Sequence, residues 1–429
     1  MKRLLLIGCF CLMGWISLAN HILIPMDNTQ SNHLKAYGVV YHTLKKGLEV
    51  QWLLNYRGGS FILPFDADGR TECLLKGVGF EVIPPARLNA ILAEIASPEV
   101  NADAVKLEKA PKIAVYSPKE KKPWDDAVTL ALTYAEIPYD VVYDSEILDG
   151  CLKEYDWLHL HHEDFTGQMG KFYRNYRHMD WYKAEETTNK QTARKYGFSK
   201  ISELKKAVVR TIRDYVSAGG FMFAMCSATD TFDIALAAME VDICDVMFDG
   251  DPVEPGAQEK LDYSKTFAFK DFKLQLNPNI YEYSDIDVTD TRKVTERDDY
   301  FLLFEFSAKW DPVPTMLCQN HMNMIKGFMG QTTAYNRKLI KSNVLIMGEN
   351  KAAGEVRYIH GEYGKGTWSF LGGHDPEDYQ HFVGDPVTEL DFPRRRPNKS
   401  GLLKKASGYN RSKINPNGFL RLKYAKSQQ

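Results

Sequence analysis

The chain has 429 residues, 44% hydrophobic and 26% charged, with a formal net charge of −2; this balance excludes a disordered or collagen-like chain and leaves room for two or three ordinary cores. No run beyond the first twenty residues is long enough for a membrane-spanning helix. The charge is unevenly spread, because eleven Lys or Arg and no acid follow from Arg394 onward while the body before it is acidic.

The opening has a charged Lys2-Arg3, an apolar stretch over residues 4–18 and a small Ala19 ahead of Asn20. That pattern predicts a secretory signal, residues 1–19, and export to the periplasm or beyond. Leu6-Ile7-Gly8-Cys9 offers a lipoprotein-box alternative, for which too few apolar residues precede Cys9. Five cysteines remain (Cys73, Cys151, Cys226, Cys244, Cys318), scattered and without a CxxC pair, so neither a zinc site nor a disulfide framework is indicated.

Residues 20–108 read as a small N-terminal α/β domain. A strand over 21–25, a helix over 34–46 and a strand over 48–56 suggest a βαβ-like opening that ends at Arg57-Gly58-Gly59-Ser60. Two short helical patterns follow. Pro84-Pro85 and residues 99–111 read as linkers.

From Lys112 strands alternate with helices: strands over 113–116, 139–143, 156–161 and 221–225, with helices over 125–134 and 229–239. Ser202 is the expected cap of an amphipathic helix in which Leu204, Val208, Ile212 and Val216 recur every four residues, closed by Gly219-Gly220. This alternation predicts a doubly wound α/β fold with a mostly parallel sheet over residues 109–390. Two stretches interrupt it. Residues 163–200 are rich in aromatics and cations, as lids and carbohydrate-facing loops are, and residues 245–350 read as a β-rich insertion or sheet extension. The basic tail, residues 391–429, suits an anionic envelope surface; the plainer reading is a solvated end.

Two junctions carry candidate chemistry. Phe223-Ala224-Met225-Cys226-Ser227-Ala228-Thr229 runs a buried strand into a cysteine and straight into a helix, with small residues two positions away on each side. A nucleophile elbow needs that room, and a helix N-terminus lowers a thiol pKa; the plainer reading is a core cysteine. Near the end, residues 363–371 make the turn and return strand of a hairpin that delivers Gly372-Gly373-His374-Asp375-Pro376-Glu377. A histidine followed by carboxylates fits a general base with its orienting acid. Gly366 stands where a phosphate loop needs Ser or Thr, so the Gly-Lys pair here is not one.

The order of elements from Lys112, the small-flanked Cys226, and the Tyr363-Gly364-Lys365-Gly366-Thr367-Trp368-Ser369-Phe370-Leu371-Gly372-Gly373-His374 ending resemble the class I glutamine amidotransferase-like superfamily, and within it the ThuA-like branch. The resemblance covers residues 110–385 apart from the two insertions. It implies a flavodoxin-like sheet and a Cys-His-acid site with Cys226 as nucleophile, His374 as base and Glu377 or Asp375 as orienting acid. The family elbow carries glycine where Ala224 and Ala228 stand here, and its acid falls where Pro376 stands. A class II amidotransferase would need an N-terminal cysteine, whereas cleavage after Ala19 exposes Asn20.

These features predict an exported thiol-dependent amidase or amidotransferase-like hydrolase. Its pocket would hold Cys226, His374, Asp375 and Glu377, with His161, His162, Glu163, Tyr173 and Trp181 toward a small-molecule or glycan substrate. No cofactor and no nucleic-acid partner is expected. Since ThuA-like members commonly lack a working triad, a non-catalytic sugar- or glycan-binding module is the alternative. A third reading takes the cluster from His159 to Asp164, with His374, Asp375 and Asp249 or Asp251, as a site for a metal-dependent hydrolase.

Overall fold

A computed structural model describes residues 20–118, 127–291, 294–295, 298–319 and 321–376. The signal segment, the basic tail and Glu377 lie outside the described residues. The described residues are mixed α/β, built on a five-stranded and a nine-stranded sheet with a further two-stranded pair.

The first sheet comes from β1 (His21–Ile24), β2 (Val50–Leu54), β3 (Ser60–Pro64), β4 (Glu81–Ile83) and β5 (Asp103–Leu107), interleaved with α1 (His33–Lys45), α2 (Ala67–Lys76) and α3 (Pro85–Ala96). The strand order is β4-β1-β3-β2-β5, and every neighbouring pair is antiparallel. β3 lies between β1 and β2, which corrects the expected simple βαβ opening. The reversal is made by positive φ at Asn55, Arg57, Gly58 and Gly59. A Cβ on Gly58 would stand 2.4 Å from the Met26 carbonyl oxygen, so glycine is required for that approach. The stretch 99–111, expected as a linker, contains β5. Pro85 opens α3 at N1, where its missing N–H costs nothing.

The second sheet begins with β6 (Ile113–Tyr116), α4 (Ala127–Ala135), β7 (Asp140–Val142), α5 (Asp144–Leu148) and β8 (Trp157–Leu160). The segment from 163 to 200 includes the helices α6 (Tyr173–Tyr176) and α7 (Asp180–Lys195). Next come α8 (Ile201–Ser217), β9 (Phe221–Met225) and α9 (Ser227–Ala237). Later elements are α10 (Val246–Asp249), β10 (Tyr300–Leu303), α11 (Pro312–Cys318), β11 (Met324–Lys326), β12 (Phe328–Met329), β13 (Leu345–Asn350), β14 (Glu355–Tyr363), β15 (Gly366–Leu371) and β16 (Asp375–Pro376). The strand order is β11-β10-β13-β14-β15-β9-β8-β6-β7. β7, β6, β8, β9 and β15 are mutually parallel, and β14, β13, β10 and β11 continue from β15 as antiparallel neighbours. The expectation of a mostly parallel sheet holds for one half of it only; residues 245–350 and the hairpin add the antiparallel half.

Strand alternation divides the core between the two faces. Trp157, Phe221, Phe223 and Met225 pack with α4, α1 and the first sheet, whereas Leu158, Leu160, Met222 and Ala224 pack with α8 and α9. In α8, Leu204, Val208, Ile212 and Val216 are fully buried, each contributing about 1.5–3 kcal/mol of transfer free energy. α8 starts one residue before the expected cap: Lys200 is the N-cap, and the Glu203 carboxylate accepts the N–H groups of Ser199 and Lys200 at 2.8 and 3.1 Å. Lys171, in the aromatic segment, donates to the Gln275 and Glu282 carbonyls, both at 2.6 Å, and so ties that segment to the long loop before β10.

Candidate active site

Cys226 and His374 leave the same edge of the sheet on adjacent strands. β9 and β15 are parallel, with Met225 opposite Leu371; one residue past Met225 is Cys226, and three past Leu371 is His374. Cys226 stands between strand and helix with φ 54° and ψ −139°, the left-handed side of backbone space that a residue with a Cβ rarely enters. Such strain costs about 1–3 kcal/mol and needs a surrounding structure that enforces it. Here the Cys226 N–H donates to the Leu371 carbonyl at 3.2 Å, and Ser227 Oγ donates to the His162 carbonyl at 2.6 Å.

His374 is held by its own backbone, whose carbonyl accepts the Ala127 N–H at 2.9 Å, and by Gly373, whose N–H donates to Thr332 at 3.1 Å. Residues 328–333 lie across both groups. A Cβ on Gly330 would stand 2.4 Å from His374 Nδ1 and 2.9 Å from Cys226 Sγ, so the imidazole and the thiol flank a single point that only glycine leaves open. Cys226 is 2% exposed and His374 8%. Burial pushes the Cys226 thiol well up from its ordinary value, with the Ser227 backbone N–H pulling in the other direction. The expected depression of the thiol pKa at a helix N-terminus is therefore reversed in this covered arrangement: desolvation outweighs the helix end.

The covering segment is pinned by buried acids. Asp287 accepts the Thr332 N–H and Asp230 accepts Thr332 Oγ1, each at 3.0 Å. Burial, reinforced by their mutual charge at Asp230, raises the pKa of both. Arg357, 1% exposed, ion-pairs with Asp299 and Glu355 and donates to the Thr333 carbonyl at 2.8 Å. Asp230, Asp287 and Arg357 carry no motif that marks them in the sequence.

The remaining expected residues fall into three groups. His161 and His162 follow β8, and their rings lie 3.8 Å apart; the His162 ring is 4.6 Å from that of His374. His159 is a core residue whose Nδ1 lies 3.2 Å from the Phe223 carbonyl oxygen. His162 and Glu163 line a cavity of about 30 Å³ beneath the aromatic segment, together with Phe172, Glu185, Lys205 and Gln331. Tyr173 packs on Tyr182 and Phe248, while Trp181, 40% exposed, joins Phe172 and Tyr176 in a surface aromatic cluster. Tyr281, 46% exposed, reaches the same cluster through Phe172. Asp375 enters β16, paired with Met329. Asp249 and Asp251 both pair with Lys200.

No protein-family model and no curated protein matches the chain. Among solved structures it is similar to the cytoplasmic protein STM1381 of Salmonella typhimurium LT2, at 12% identity and TM-score 0.31 over 64% of this chain and 91% of that one. It is similar to the cytoplasmic protein STM3548 of Salmonella typhimurium, at 11% identity and TM-score 0.30 over 66% and 98%. The GH42 β-galactosidase Gan42B of G. stearothermophilus aligns at 11% identity and TM-score 0.27 over 70% of this chain and 30% of that one. Among the described residues no helix is long and apolar enough to cross a membrane.

Proposed function

We propose that the chain is a thiol-dependent amidase of the class I glutamine amidotransferase-like kind, acting outside the cytoplasm. The observation that carries this reading is the strained φ of Cys226 at a strand-to-helix turn, with the His374 imidazole flanking the same point as its sulfur. The order of the five parallel strands, second-first-third-fourth-fifth along the chain, supports a flavodoxin-like core with the site at its carboxyl edge.

In this reading residues 328–333 move aside to admit an amide. His374 takes the Cys226 proton, the sulfur attacks the carbonyl carbon, and the Ser227 N–H supports the oxyanion. The C–N bond breaks as the imidazolium returns its proton to the leaving nitrogen; water then hydrolyses the thioester. Asp375 or Glu377 orients the imidazole. The test is limiting iodoacetamide alkylation of the purified mature protein across a range of pH, mapped by mass spectrometry. Preferential labelling of Cys226, reduced in His374→Ala, is the expected result. Labelling that follows exposure alone, with Cys151 ahead of Cys226 and no effect of His374→Ala, would sink the assignment.

The exposed Trp181, Tyr176 and Tyr281, gathered around the half-buried Phe172, favour a second reading, a glycan-binding surface next to the cavity. Saccharide binding lost in Trp181→Ala would support it, and a glycan screen without any binding would remove it.

A further inference from the structure

Three donor residues follow β8 in direct succession: His161, His162 and Glu163. A nitrogen from each imidazole and an oxygen of the carboxylate all lie within 4.8 Å of one another. Two histidines and one carboxylate are a donor set that first-row divalent ions accept readily, as zinc does with three protein ligands and an open position for water. At metal–ligand distances of about 2.0–2.2 Å, donors sit roughly 3.3 Å apart, so the observed spacing closes by small side-chain rotations.

The surroundings favour a small cation. The adjoining cavity of about 30 Å³ exceeds the roughly 10–15 Å³ that one water needs. Among the described residues its wall includes Glu163, Asp164, Glu185 and Lys205. The Lys205 ammonium already bonds both Asp144 oxygens, at 3.0 and 2.9 Å, and the hydroxyls of Tyr116 and Tyr143. Behind the donors, His159 meets the His161 ring edge-on with centroids 6.4 Å apart and is itself placed by the Phe223 carbonyl.

A second grouping, Asp242, Cys244 and Asp249, also has donors within 4.8 Å. There the Lys200 ammonium already sits among Asp242, Asp249 and Asp251 at 2.5, 3.3 and 2.5 Å, occupying the place of a cation.

We propose that His161, His162 and Glu163 form a binding site for one divalent transition-metal ion, open to the cavity beneath the aromatic segment. The ion's fourth position faces water, and with the His162 ring 4.6 Å from His374 the centre adjoins the thiol site without requiring its chemistry.

The test uses the purified mature chain, stripped with chelator and titrated with Zn2+ and separately with Co2+. Expected are about one ion per chain, ligand-field absorption from cobalt in a low-symmetry nitrogen and oxygen set, and a higher thermal midpoint with zinc. Glu163→Gln and His162→Gln, each checked for folding by circular dichroism, weaken binding at least about tenfold. Cys226→Ser and Asp249→Asn leave it unchanged, which separates this proposal from the amidase reading and from the second grouping. Absence of stoichiometric binding, or binding in Glu163→Gln and His162→Gln as tight as in the native chain, overturns it. Binding lost in Asp249→Asn alone would move the ion to the other cluster and overturn it equally.

Discussion

Asp287 accepts the backbone N–H of Thr332 at 3.0 Å, two residues along the chain from the glycine that lies against the Cys226 thiol. Asp230 grips the same threonine through its hydroxyl. Thr332→Ala leaves the Asp230 carboxyl buried with that bond gone, a loss of about 1–3 kcal/mol. Chemical denaturation should show the loss, together with faster alkylation of Cys226 as the cover loosens. Unchanged stability and alkylation would mean that the cover is held elsewhere.

Gly330→Ala places a methyl group against both His374 Nδ1 and Cys226 Sγ, at a φ of +124° that disfavours any Cβ. The expected outcome is separation of the two groups. In a pH series of alkylation rates, the His374-dependent component should disappear while the fold survives with a loss of about 1–3 kcal/mol.

Replacing Cys226 itself distinguishes strain from packing. Glycine accepts φ 54° without a Cβ clash, so Cys226→Gly should unfold at a higher denaturant midpoint than Cys226→Ala, a gain of about 1 kcal/mol in unfolding free energy. Equal midpoints would show that the turn relaxes without cost.

Asp233 accepts the backbone N–H groups of Phe267, Ala268 and Phe269 at 2.7, 2.7 and 2.8 Å, yet burial pushes its carboxyl up to about 6 from an ordinary 3.8. Because the folded value is the higher one, its contribution to stability is complete below pH 3.8 and is lost as pH rises through about 6. The shift corresponds to at most about 3 kcal/mol. Unfolding free energy measured from pH 4 to 7 should carry this falling component in the native chain and lack it in Asp233→Asn.

Arg357→Met removes a buried cation from between Asp299 and Glu355, whose side chains are 1% and 5% exposed. A loss of about 3–5 kcal/mol is expected in equilibrium unfolding, and it should shrink in a triple variant that also carries Asp299→Asn and Glu355→Gln.

Much of the second sheet was readable because its strands are short apolar runs between helices of clear period. The α8 stripe from Leu204 to Val216 and the strand that ends at Met225 stand where the pattern puts them. α7 escaped notice because only Tyr182, Asn189 and Ala193 of its sixteen residues are buried, so no apolar stripe marks it. β3 is hidden by Gly58 and Gly59 just before it, which read as a loop although they make the turn that pairs it between β1 and β2. The cover over Cys226 had no local signal at all: Gly330 meets residues more than forty positions away in sequence. The thiol's environment was misjudged for the same reason. A helix N-terminus is visible in sequence, whereas the burial that outweighs it comes from distant segments.

The pairing of β9 with β15 also has a bearing on how the chain is made. A ribosome releases Cys226 long before the strand that sets His374 beside it, with the whole 245–350 stretch between them. Contacts of such long sequence separation form late, after considerable loop-closure entropy has been spent. Fragments truncated before Gly366 therefore carry the cysteine without its imidazole neighbour, and the thiol emerges from synthesis chemically ordinary until the final strand docks.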